Sequence, residues 1–206
     1  MGFWKNLWHF IWDDDSIWSW FTNIVLAFVL IKYIVYPGLG FLLNTSFPIV
    51  AVISNSMYHA DSFDEWWEHS NEWYITQGIK KEQFEDFPMR NGFSKGDIMV
   101  LYGVSQGKTK IGDIIVFHSG KPDPIIHRII KKQEESDHVY YLTKGDNYLT
   151  NPAPIQSNDI DETHVPVEAV RGEAVLRIPY LGWVKILAIK TICLFNIACP
   201  MEYKTI

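Results

Sequence analysis

Cysteine is nearly missing from this chain: 206 residues contain 2, at positions 193 and 199. That excludes a disulfide framework and a Cys-rich zinc site. A basic excess is missing as well. Acidic side chains outnumber basic ones 24 to 18, for a formal net charge of −6, which excludes a nucleic-acid binder because such a protein needs a basic face. There is no phosphate-binding glycine loop and no HExxH, and the 7 histidines include no i, i+4 pair for a metal. What is abundant is apolar. Hydrophobic residues make up 48%, with 9 Trp and 12 Phe, so the chain is not disordered. A mean hydropathy of −0.03 hides a very uneven distribution, which argues against a purely soluble cytosolic domain.

Residues 17–36 read IWSWFTNIVLAFVLIKYIVY, and apolar residues continue to Leu43. Twenty residues of helix reach about 30 Å, the thickness of a bilayer's hydrocarbon core. Trp18, Trp20 and Phe21 sit at one end and Tyr33 and Tyr36 toward the other, as interfacial aromatic belts do. Thr22, Asn23 and Lys32 dilute the run, and a lysine there must snorkel or face a partner. Pro37, Gly38 and Gly40 are expected to break or kink the helix. A cleaved signal peptide would start basic and end at small residues, whereas this chain starts MGFWKNLWHFIWDDD. A soluble core helix is the remaining alternative to a membrane anchor.

Beyond a short strand-like run, IVAVISNSM, residues 60–94 hold 8 acidic and 3 basic residues. Ser62 with Glu65 three residues on predicts a capping box. Trp66, Trp67, Trp73 and Tyr74 recur at helical spacing, and Gly78 is a stop. A second short helix is expected between Lys80 and Phe87, ended by Pro88. From Gly96 the pattern turns to β. GDIMVLY and GDIIVFH each predict a Gly-Asp turn and a buried strand. PIIHRII puts Ile125, His127 and Ile129 on one face and Ile126, Arg128 and Ile130 on the other. HVYYLT and VEAVRGEAVLRIP supply further strands, the last bent at Gly172.

Two features carry chemistry. Ser54-Asn55-Ser56-Met57 ends an apolar strand, where small neighbours admit a substrate backbone and Met57 can floor an apolar pocket. A serine hydroxyl needs a base to become a nucleophile. His127, beside Arg128 on a strand, is one candidate, with His118 as the fallback. Taken singly, S-x-S-M more often marks a strand end, a lone histidine is more often half-buried core, and Asp97 and Asp113 read as turn residues.

In order along the chain stand S-x-S-M, G-D-I-[IM]-V-[FL], I-I-H-R-I-I and T-K-G-D-N. With these motifs the chain resembles type I signal peptidases, in the branch of archaea and the endoplasmic reticulum. The likeness runs from about Ile49 to Ile178, interrupted by residues 60–94, and RIPYLGWVKI resembles the end of that family's core. The resemblance implies a mainly β, signal-peptidase-type barrel or sandwich core carrying a helical insertion and an N-terminal transmembrane helix. It makes Ser56 the nucleophile, its backbone N–H and the Ser54 hydroxyl the oxyanion-hole donors, and His127 the general base where the bacterial branch has lysine. Asp146 in the TKGDN turn matches an acid that orients the base. The sequence departs from the family at Asn55, where relatives have Gly, in lacking a proline soon after the serine motif, and at Asn151 and Pro152, where a second aspartate is usual. The acid is therefore Asp146, or Asp159 or Asp161 from the next loop.

The organisation expected is a cytoplasmic segment at 1–16, an anchor at 17–43, a catalytic β-domain at 44–181 with its Trp-rich insertion at 60–94, and an apolar segment at 182–206 that is either a second membrane-associated helix, giving two passes in place of one, or a helix covering the barrel edge. The function implied is a membrane-anchored serine endopeptidase removing signal peptides after small residues, with no metal and no cofactor. Its partners would be preprotein signal peptides, the lipid bilayer and accessory membrane subunits, and its catalytic domain would stand on the non-cytoplasmic side, at the cell membrane in an archaeon. The insertion would be a helical flap near the membrane that shapes substrate access. The competing reading is a noncatalytic, membrane-tethered β-domain that binds peptides or partner subunits.

Overall fold

A computed structural model describes residues 2–104, 108–120, 123–135 and 138–194. The chain begins with α1 (Gly2–Trp12) and α2 (Ile17–Leu30), joined by an acidic turn. Ser16 caps α2 by accepting from Ser19 N–H, and Asp14 in turn accepts from Ser16 N–H. The polar residues that dilute the apolar run have a local use. Ser19 Oγ donates to Phe10 O (2.6 Å) and Asn23 Nδ2 to Ile11 O (2.9 Å), closing free carbonyls at the end of α1.

The expected break at Pro37 does not occur. A π-helical turn (Ile31–Val35) leads directly into α3 (Tyr36–Leu42). Tyr36 N–H reaches back to Ile31 O in the wide turn, and Pro37, with no N–H to offer, falls at the first turn of α3, where proline is tolerated. The result is one helical run, Ile17–Leu42, of 26 residues with a hydropathy of 2.0 and none of its apolar window buried. It is long and apolar enough to cross a membrane.

The rest is mainly antiparallel β. Seven strands, β1 (Ile49–Ala51), β2 (Ile98–Tyr102), β3 (Ile114–Phe117), β4 (Ile125–Glu135), β5 (His138–Lys144), β6 (Val165–Pro166) and β7 (Val170–Ile178), form one curled sheet in the order β1-β2-β7-β3-β4-β5-β6. Gly96 and Gly112 start β2 and β3 with φ of +92° and +98°. Any side chain at these points would be strained as well as crowded by Trp183 or Phe87. Asp97 and Asp113 accept backbone N–H bonds from Ser94 and Lys110 in the same turns. The register of β3 against β7 slips between Val116 and Phe117, opposite the stretch that holds Gly172. That slip is the bend expected there.

Residues 60–94 are helical, as expected. In α4 (Phe63–Thr76) Ser62 and Glu65 make the reciprocal capping box, and α5 (Lys81–Glu85) follows Gly78. Trp66, Tyr74 and Phe84 are fully buried, packed with Ile79 and with Ile130 of β4. Each such side chain is worth about 1.5–3 kcal/mol of burial, so the insertion is part of the core. Within 182–206 the described part is α6 (Trp183–Leu194); residues 195–206, including Cys199, lie outside the described residues.

Candidate active site

Strand β1 runs out at Ala51, and Ser54, Asn55 and Ser56 follow in a turn held from the neighbouring segment. Asn147 does the holding. Its N–H donates to Ser56 O (2.8 Å) and its side-chain amide to Asn55 O (2.9 Å), while Asn55 Oδ1 accepts from Lys95 N–H (3.0 Å). Asn55, where relatives have Gly, is thus a structural member of the turn. Ser54 Oγ and Ser56 Oγ are 3.2 Å apart.

Ser54, Ser56 and His127 line one cavity of about 420 Å³, with apolar walls from Val52, Val116, Ile155 and Ile160. Met57 does not floor it. Its side chain is buried beneath the turn, where it packs on Phe93 and Met99 and its sulfur accepts from Asp146 N–H.

Strand β4 carries His127 and Arg128 to opposite faces, as the alternation requires. His127 is buried, and its Nδ1 is hydrogen-bonded to Glu162 Oε1. Glu162 is fully buried and fixed on every side. Thr143 Oγ1 donates to Oε1 (3.0 Å), Ile155 N–H to Oε2 (2.8 Å), and its backbone N–H and carbonyl bond Ile155 and Thr143. A neutral imidazole that donates from Nδ1 to a carboxylate keeps Nε2 as an acceptor. Nε2 lies near the backbone of the serine turn. A Cβ built on Gly145 would lie 2.9 Å from it and 2.7 Å from Ser56 O. Glycine is what lets the two segments meet there.

The expectation that Asp146 stands behind His127 is corrected by this geometry. Asp146 is fully buried and faces Arg128, whose Nη2 donates to Oδ2 at 2.6 Å and whose Nε lies 3.0 and 3.1 Å from the two carboxylate oxygens. Tyr74 OH donates to Oδ1 (3.1 Å) and Trp66 Nε1 to the backbone carbonyl (2.9 Å), while His59 Nε2 lies at an ion-pair distance of 3.4 Å. Burial opposes ionisation, but the Arg128 guanidinium and the His59 ring outweigh it and hold the Asp146 carboxyl well below the usual carboxylate range. The reason is the strand alternation: Asp146 pairs with Arg128, on the face opposite His127.

The downstream aspartates are not behind His127 either. Asp159 is exposed, and Asp161 turns back on its own loop, accepting from Thr163 N–H and Oγ1. Glu162 escapes sequence reading because the family pattern calls for an aspartate. The available signal was the acidic run D-I-D-E, closed into a hairpin by the Gln156–Asp161 bridge, which leaves the next residue facing inward. His118 lies apart, its ring edge-on to Phe47 and its N–H bonded to Ala169 O. Among the described residues no cluster of His, Cys, Asp and Glu is arranged to hold a metal.

A serine hydroxyl, an oriented imidazole with a free nitrogen and a buried carboxylate, beside an apolar cleft, make up the equipment of a serine hydrolase. The comparisons are more specific. No family model matches the chain. It is 28% identical over 164 residues to the signal peptidase complex catalytic subunit SEC11 of Scheffersomyces stipitis, covering 79% of this chain and 78% of that protein. To the subunit of the same name from Sclerotinia sclerotiorum it is 28% identical over 168 residues, covering 79% and 78%. To that of Fusarium vanettenii it is 25% identical over 157 residues, covering 75% and 72%. The chain is therefore similar, over most of its length, to proteins named as the catalytic subunit of the signal peptidase complex, in line with the likeness that the ordered motifs carry.

Proposed function

We propose that this protein is a membrane-anchored serine endopeptidase that removes signal peptides from preproteins, with Ser56 as nucleophile, His127 as general base and Glu162 as the acid behind it. The observation that carries the reading is the sharing of one apolar cleft by Ser56 and a buried His127 whose Nδ1 is held by Glu162. That arrangement favours catalysis over the noncatalytic binding domain, which has no need of an oriented imidazole.

The mechanism follows from the atoms. His127 Nε2 takes the Ser56 proton as Oγ attacks the scissile carbonyl, and Glu162 stabilises the imidazolium that forms. The Ser56 N–H and the Ser54 hydroxyl face the developing oxyanion. The imidazolium then protonates the leaving amine, and water hydrolyses the acyl-enzyme. The branched walls of the cleft suit small apolar residues next to the cleaved bond. A substrate strand can add along β1, whose other edge pairs with β2. The run Ile17–Leu42 would hold the cleft beside the bilayer on the non-cytoplasmic side, where a translocated signal peptide is still embedded. The relatives' name also makes accessory membrane subunits expected partners.

The test uses membranes from cells producing the full chain, incubated with a preprotein that has small residues before its cleavage site. The expected products are a mature chain and a free signal peptide, with cleavage blocked when the residue before the bond is made bulky. Saturable binding of the preprotein without any cleavage would support the binding domain instead.

A further inference from the structure

A second cavity, of about 380 Å³, opens on the other side of the Lys144–Asn147 turn, between that turn and α4. Its floor holds Lys144, which is 2% exposed, and Ser70, which is 5% exposed. The Lys144 ammonium donates one hydrogen bond, to Gly145 O at 2.8 Å, and sits 5.1 Å from the ring centres of both Trp73 and Tyr74. Among the described residues no carboxylate comes within ion-pair distance of it, because the nearby Asp146 and Glu162 are taken up by Arg128 and His127. An ammonium has three donors, and beyond Gly145 O only the two ring faces stand against it among the described residues. Ser70 Oγ is buried without a hydrogen-bond partner. A buried cation short of acceptors and a buried hydroxyl short of a partner are both costly arrangements, and here both line the same opening.

We infer that this cavity is a binding site for a small organic monocarboxylate, whose carboxylate accepts from Lys144 Nζ and Ser70 Oγ while its apolar body lies between Trp73, Tyr148 and Pro152. The walls set the class. Tyr148 is braced by a stacked His69, 5.2 Å between ring centres, so a flat aromatic or aliphatic body has a firm surface to cover. Glu72 at the rim adds negative charge and disfavours a dianion such as phosphate. The volume falls in the range of small-molecule pockets. Burial also pushes the Lys144 ammonium down to about 8, the condition a bound anion would relieve. The site is separate from the serine cleft, and the inference does not depend on the proposed peptidase activity.

The test is fluorine NMR of para-fluorobenzoate with the full chain in detergent, beside the neutral para-fluorobenzamide and a competition with inorganic phosphate. Wild type should bind the acid saturably and the amide at least tenfold more weakly, and phosphate should not displace the acid. Ser70→Ala should weaken binding about tenfold, as expected for one hydrogen bond to a charged group, and should leave the fold intact because that hydroxyl makes no bond in the protein. Lys144→Met should abolish binding; if it does not fold, Ser70→Ala decides. Equal affinity of Ser70→Ala and wild type would overturn the inference. So would equal binding of acid and amide, displacement by phosphate, or no saturable binding at all.

Discussion

His127 and Glu162 are hydrogen-bonded across 35 residues of chain, Nδ1 to Oε1, in a fully buried contact. The Glu162 carboxylate also accepts from Thr143 Oγ1 and Ile155 N–H, which fix its orientation toward His127. The same strand turns Arg128 the opposite way, onto Asp146. Two buried acid–base pairs therefore lie back to back across β4. One is the pair proposed above for the chemistry, and the other ties the helical insertion to the sheet.

The two pairs should differ in how amide substitution affects turnover. Glu162→Gln should cost about 1–3 kcal/mol of stability, because its amide sets a donor against a buried donor, and should lower kcat for preprotein cleavage far beyond any loss of folded protein, about 10⁴-fold by analogy with other triads whose acid becomes an amide. Asp146→Asn should cost stability, about 3–5 kcal/mol for leaving Arg128 buried without its partner, and should affect turnover only as far as folding is lost. Parallel measurement of kcat and of the denaturation midpoint separates the two.

Asp146 also predicts an acid limit. Its carboxyl titrates well below the usual value in the folded chain because of Arg128 and His59. Its stabilising contribution is therefore complete above the unfolded value of about 4 and is lost as pH falls below it, toward the folded value. Thermal unfolding between about pH 5 and pH 2 should show a steep loss in wild type. In Asp146→Asn the loss should be shallower, starting from a lower midpoint.

Gly145→Ala tests the approach of the two catalytic segments. The new methyl would lie 2.9 Å from His127 Nε2, 2.7 Å from Ser56 O and 2.8 Å from Asn151 Cγ. Something must shift, and each of these atoms belongs to the site. The expected result is a folded protein with kcat reduced at least a hundredfold; wild-type turnover would contradict the stated approach of Ser56 and His127.

Asn147 holds the serine turn through two hydrogen bonds. Asn147→Ala removes the one to Asn55 O together with the bond that Asn147 Oδ1 accepts from Leu149 N–H, and should cost about 1–3 kcal/mol of stability. The larger effect should be on turnover, ten- to a hundredfold in kcat with little change in KM, because a loosened Ser54–Ser56 turn misplaces the nucleophile and the oxyanion donors together.

Local signals were legible in the sequence. The Ser62–Glu65 capping box, the Gly-Asp turns before β2 and β3, and the two faces of IIHRII all follow from neighbours a few residues apart. The proposed serine turn and base were singled out because ordered motifs mark them, and both line the same cleft. The acid was not. Whether Asp146 or Glu162 meets His127 depends on which face of β4 each segment crosses and on the Gln156–Asp161 hairpin, and neither is encoded locally. Glutamate also has one more methylene than aspartate, so it reaches the imidazole from a backbone position that an aspartate-based pattern does not search. Pro37 misleads for a related reason: its helix-breaking character assumes a regular turn before it, and the π-turn over Ile31–Val35 removes that assumption.

The central claim is that Ser56 is the nucleophile. Its most direct test is single-turnover cleavage of a preprotein with the full chain in excess, comparing wild type and Ser56→Ala and reading product by intact mass. The account predicts complete conversion by wild type and no cleavage by Ser56→Ala above the uncatalysed background, with equal preprotein binding by both. Cleavage by Ser56→Ala at the wild-type rate and at the same bond would contradict it.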